Sequence, residues 1–135
     1  MAKGVPVDLE LKRAFGELHE KMIETTKKIH SLDTQIVVFK RQLEIAELSE
    51  HEICNLPRGV KIYEGVARMF LLTEPHDIVR DIKCRQFKLN DRITEFTNHK
   101  KFLEMNLRDS TNNLREMVQH RKELSEFEAQ GHKAN

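Results

Sequence analysis

The sequence predicts a mostly α-helical chain with one small β-hairpin: a long antiparallel two-helix coiled coil, joined by a short helix and a hairpin that pairs with other subunits. Three observations predict it. Leu11, Phe15, Leu18, Met22, Thr25, Ile29, Leu32, Ile36, Phe39, Leu43 and Ala46 fall at alternating spacings of four and three, and only Thr25 is polar. A mean spacing of ~3.5 keeps one seam of an underwound helix against a partner helix. A second such run starts at Val79, and the segment between the two has the pattern of β-strands.

The 135 residues are expected to form a single domain, 1–135. Helix one is predicted over 8–48, with Asp8 after Pro6 capping the first turn. Acid-then-base pairs four apart (Asp8 with Lys12, Glu17 with Lys21, Glu24 with Lys28) support its outer faces. Gly16 costs about 1 kcal/mol relative to Ala inside such a helix, with no evident compensation. Ser49-Glu50-His51-Glu52 has the form of a capping box and predicts a separate short helix over 50–56, stopped by Pro57-Arg58-Gly59. The hairpin is predicted over 60–72. Val60-Lys61-Ile62-Tyr63-Glu64 alternates apolar and polar, Gly65 marks the turn, and Arg68-Met69-Phe70-Leu71-Leu72 is apolar on both faces.

Helix two is predicted over 74–129, with Thr73 as N-cap and Pro75 in the first turn. Its seam is Val79, Ile82, Gln86, Leu89, Ile93, Phe96, Lys100, Leu103, Leu107, Ser110, Leu114, Met117, Arg121 and Leu124, and the tail from Gln130 is expected to fray. Because the chain reverses, the helices pair antiparallel. If Ala46 sits near Val79, Lys100 falls close to Thr25 and the coinciding polar layers would fix the register, whereas a register one heptad away would separate them.

Composition removes several function classes. Lys plus Arg is 23 and Asp plus Glu is 22, with the signs interleaved, so nucleic acid has no electrostatic footprint. The longest apolar runs are four residues, far short of a membrane span. Cys54 and Cys84 form no CxxC, no signal peptide precedes them, and reduced thiols in a cytoplasmic protein are expected, a nuclear pool being left open. The glycines form no phosphate cradle, so no nucleotide cofactor is expected. His19, His30, His51, His76, His99 and His120 form no i, i+4 pair, so no metal is expected. His51 stands three residues before Cys54, with no third orienting group or enclosing pocket in view; the chain is expected not to be an enzyme.

A lone two-stranded hairpin is marginal in water. One with apolar side chains on both faces and two unpaired edges is a template for association. Oligomerisation is therefore a physical expectation: hairpins from several subunits join into one sheet, and the coiled coils project from it.

Val7-Asp8-Leu9-Glu10-Leu11-Lys12 followed by Ala14-Phe15, then Tyr63-Glu64-Gly65-Val66 and Arg68-Met69-Phe70, carry a resemblance. The chain up to about residue 122 resembles the β-class subunits of the prefoldin family, which have one hairpin where the α-class has two. One departure is Ala67, where the family commonly has a second glycine; if that position needs a positive φ, Ala67 strains the turn. The resemblance implies an ATP-independent chaperone, a heterohexamer of two α-class and four β-class subunits. Such complexes hold unfolded proteins such as actin and tubulin and deliver them to the group II chaperonin.

Two sets of candidate residues follow. Ile62, Tyr63, Val66, Met69, Phe70, Leu71 and Leu72 are assigned to contact between subunits, the alternative being packing against the chain's own helix ends. Val5, Val7, Leu9, Ile23, Val118 and Phe127, apolar and off the main seam near the free ends, are candidates for client binding, with Phe102 and Met105 further in. The alternative for these is a widened, half-buried coiled-coil stripe. Val37 and Val38 could touch a neighbouring subunit or be ordinary exposed valines. From a different class, a structural coiled-coil adaptor or tether remains as the second reading; a hairpin that only reversed the chain would be expected to be short and polar.

Overall fold

The computed structural model describes residues 5–133, with side chains described over 9–131. The element order is α1 (Val5–Cys54), β1 (Ile62–Val66), β2 (Met69–Thr73) and α2 (Pro75–Lys133). The residues group into two compact units, one formed by Leu32–His99 and the other by the flanking stretches through Ser31 and from Lys100.

The unit Leu32–His99 holds the hairpin and the helix segments next to it. Its buried apolar side chains are Ile36, Ala46 and Leu89. Phe39 and Phe96 meet edge to face, with centroids 5.3 Å apart, and the Arg92 guanidinium lies 5.9 Å from the Phe39 centroid. Nearer the hairpin, Gln86 Nε2 donates to Glu50 Oε2 at 2.7 Å, and Lys83 Nζ is 3.8 Å from Glu50 Oε1. Phe39 against Phe96 and Glu50 against Gln86 fix an antiparallel register. One heptad from the aromatic pair, Ala46 comes level with Leu89, not with Val79 as expected.

The cause of that difference lies at Ser49. No break forms there: α1 runs unbroken to Cys54, and the Glu50 carboxylate reaches across to α2 rather than back to a helix start. The separate short helix over 50–56 is thus the last part of α1 as far as Cys54. Those roughly two extra turns need matching length on α2, which moves the pairing along. The helix closes with Asn55 N–H donating to the His51 carbonyl at 3.2 Å and Leu56 N–H to the Ile53 carbonyl at 3.3 Å; Gly59 then takes a positive φ of 89°.

At the start of α2 the Glu74 carbonyl accepts from the N–H groups of Asp77 and Ile78, so Glu74, not Thr73, is the cap residue and Pro75 the first helical one. Thr73 ends β2, and its hydroxyl donates to the Leu71 carbonyl. The helix continues through Gln130 to Lys133 rather than fraying.

In the other unit the α1 seam positions Leu11, Leu18, Met22, Thr25 and Ile29 are half-buried, as are Lys100, Leu103, Leu107, Ser110, Leu114 and Met117 of α2. Leu18 and Met117 line one groove together, and one heptad on, Thr25 comes level with Ser110. Lys100 is not its partner. The Thr25 hydroxyl donates to the Lys21 carbonyl one turn back, at 2.8 Å, so it is satisfied on its own helix, and the residue level with it across the seam is the polar Ser110. The Lys100 ammonium lies 3.7 Å from Glu104 on its own helix.

Candidate functional site

The hairpin is an antiparallel pair in the register Ile62↔Thr73, Tyr63↔Leu72, Glu64↔Leu71, Gly65↔Phe70 and Val66↔Met69. The period of two puts Tyr63, Gly65, Phe70 and Leu72 on one face, and Ile62, Glu64, Val66, Met69, Leu71 and Thr73 on the other. Gly65 is therefore a strand residue, not the turn. A Cβ built there would lie 3.7 Å from the Phe70 ring, which covers the position that has no side chain.

The turn is the two-residue loop Ala67-Arg68, and Ala67 has φ 54°. A two-residue hairpin with positive φ at its first central residue is the place for glycine, so alanine stores about 1–2 kcal/mol of backbone strain there. The sequence left this position conditional on its φ, and the strained case is the one found.

Both faces of the hairpin stand open. Phe70 is 76% exposed, Leu72 61%, Met69 58% and Tyr63 56%, with Leu71 and Val66 also exposed; Ile62 alone of the seven assigned residues is half-buried. The sheet has two strands, so both outer edges keep unpaired backbone groups among the described residues. An apolar surface on the order of 600 Å² is left, divided between the two opposite faces, each within the size of patch that marks an interaction site. Little of it packs against the chain's own helix ends.

The other candidates divide. Leu9, Ile23, Val118 and Phe127 are exposed, as are Phe102 and Met105; the side chains of Val5 and Val7 lie outside the described residues. Val118 lines a groove of about 430 Å³ with Leu11 and Phe15 as floor and Lys12, Arg121 and Lys122 at its edges. Leu9, Ile23 and Phe127 are not part of it. Phe15 was expected in the buried seam and is instead 40% exposed. The signal was present in the sequence: the α2 seam carries Arg121 at the position lining the same groove, and a guanidinium there is not desolvated, so the seam opens.

Val37 and Val38 are exposed, and so are Ile45 and Leu48, which the sequence reading passed over. Val38, Ile45 and Leu48 each stand two positions after a seam residue, which turns them to the far side of α1. Phe87, 72% exposed on α2, was also missed. Cys54 and Cys84 are free and exposed, and His51 bonds to Asn55 rather than toward a thiol. Among the described residues no group of three or more His, Cys, Asp or Glu side chains could hold a metal ion, and no helix is long and apolar enough to cross a membrane.

Two coiled-coil helix segments joined by an exposed two-faced hairpin define an assembly subunit rather than a self-sufficient globule. Residues 17–121 match the family model of the prefoldin subunit, and the chain belongs to that family of chaperone subunits. Within the family it is similar to prefoldin subunit 1 of Danio rerio, 38% identical over 117 residues that span 87% of this chain and 96% of the relative. The Homo sapiens prefoldin subunit 1 is likewise 38% identical over 117 residues, with the same coverage. Probable prefoldin subunit 1 of Caenorhabditis elegans is 32% identical, over 85% of this chain and 98% of that one. The fold is that of the prefoldin beta subunit from Thermococcus strain KS-1, with a TM-score of 0.71 at 17% identity over 76% of this chain and 90% of that chain.

Proposed function

We propose that this chain is a β-class subunit of a heterohexameric, ATP-independent chaperone with two α-class and four β-class members, working in the cytoplasm. The complex holds unfolded proteins, with actin- and tubulin-like chains as clients, and delivers them to the group II chaperonin. It does so by reversible apolar contact, without an enzymatic step. The observation that carries the reading is the hairpin, apolar and exposed on both faces with both edges open, which only neighbouring subunits of like construction would cover on every side.

Ile62, Tyr63, Val66, Met69, Phe70, Leu71 and Leu72 then form the contact between subunits. The open apolar surface at Leu9, Ile23, Val118 and Phe127, with Val5 and Val7, meets the client. Exposed Phe and Val side chains away from the hairpin support that assignment, because capture needs apolar area available before a client arrives.

The test is a reconstituted hexamer mixed with denatured actin diluted from denaturant, with light scattering followed in the presence and absence of ATP. Suppression of scattering at near-stoichiometric hexamer, equal with and without ATP, is expected. Undiminished scattering would support the adaptor or tether instead.

A further inference from the structure

Two grooves flank Leu11 and Met117 in the unit formed by the helix segments away from the hairpin, and they differ in sign. The first has Leu11, Phe15 and Val118 for a floor, with Lys12 on α1 and Lys122 on α2 among its cations; no carboxylate among the described residues lines it. The second, of about 830 Å³, is lined by Glu116 and Glu123 beside Leu11, Leu18 and Met117, with no Lys or Arg among the described residues lining it. Net charge over the whole chain is only +1, so the separation is local.

We propose that the cationic groove takes acidic, apolar stretches of non-native polypeptide, in which aliphatic or aromatic residues are interspersed with Asp or Glu. The inference rests on the holding function proposed above and names the kind of segment held at this place. Lys12 comes from α1 and Lys122 from α2, so each helix brings a lysine to the lining of the same apolar groove. A segment lying in the groove meets Leu11, Phe15 and Val118 with its apolar residues and an ammonium from each helix. The lysine stems extend the apolar surface while their charges stay in water. A lysine-rich segment of equal hydrophobicity meets the same floor and is repelled, and selectivity is the difference between the two. The acidic groove beside it has the opposite preference, so one pair of helices discriminates by side.

The test uses the assembled complex and two peptides of equal length and identical apolar residues, with Glu at every polar position in one and Lys in the other. Each carries a benzophenone, and photo-crosslinks to this chain are mapped by mass spectrometry. The Glu peptide is expected to crosslink around Phe15 and Val118 about tenfold more than the Lys peptide, as two surface charge contacts imply, and less so at high salt. Lys12→Glu with Lys122→Glu should reverse the preference. Lys12→Gln with Lys122→Gln should weaken it, leaving the share due to Arg121, and all these positions are exposed and helical, so folding is not at stake. Equal crosslinking of both peptides, or a preference unmoved by reversal, would overturn the proposal. So would absence of crosslinks at the groove: with aggregation still suppressed, the holding function stands without it, and with suppression lost both fall.

Discussion

Phe70 is the residue on which the assembly should depend most steeply. In the single chain it is 76% exposed, and its near neighbour is the bare backbone of Gly65. Covering it in a sheet shared with a neighbour would remove about 150 Å² from water, about 3–4 kcal/mol of apolar transfer. Phe70→Ala should therefore weaken incorporation by about 3 kcal/mol, on the order of a hundredfold in the equilibrium constant. Phe70→Asp adds the desolvation of a carboxylate and should expel the chain altogether. Because Phe70 contributes almost nothing to packing within the chain, far-UV circular dichroism of either variant should show the helices retained. The assay is mixing of tagged variant chain with the other subunits, followed by size exclusion and native mass spectrometry. Full incorporation of Phe70→Asp at wild-type stoichiometry would refute the reasoning, and so would incorporation lost together with helicity.

Three further outcomes are expected. Ala67→Gly relieves a positive φ of 54° and should stabilise the hairpin by about 1 kcal/mol, seen as a higher melting temperature of the assembled complex; a lower one would contradict the strain. With Cys54 and Cys84 replaced by Ser, cysteines at Thr25 and Ser110 should form a disulfide under mild oxidation while cysteines at Thr25 and Lys100 should not, and the reverse pattern would contradict the register. Removing residues 1–9 and 123–135 should spare assembly and weaken suppression of client aggregation, read by light scattering; undiminished suppression would place the client surface further in.

The seams were legible because each position repeats the same physical statement. Every α1 seam residue from Leu18 to Ala46 is at least half-buried, as is every α2 seam residue from Val79 to Met117, the polar Gln86, Lys100 and Ser110 included. The hairpin was legible from its alternation and its doubly apolar second strand. Register was not, because heptads repeat. Sliding one helix by a repeat changes which layers meet but not the seam, and the choice falls to single contacts such as Phe39 with Phe96 and Glu50 with Gln86.

Local signals misled where tertiary contacts outweighed them. Ser49 through Glu52 has the residues of a helix start, yet Glu50 has a partner on α2 and the helix runs on. Gly65 looked like the turn because glycine usually marks one, whereas the strained residue is the alanine two positions on. At the candidate sites, exposure followed from residues off the seam, but Phe15 shows the limit: spacing alone does not say that a seam opens when its partner position holds arginine.

The most direct test of the central claim is the mass and composition of the native complex containing this chain, captured by affinity from its own cells and measured under native conditions. One copy of it beside five other small helix–hairpin–helix subunits is the predicted result. A homodimer, or a complex with one large unrelated partner, would contradict it and leave both faces of the hairpin without the neighbours on which the account depends.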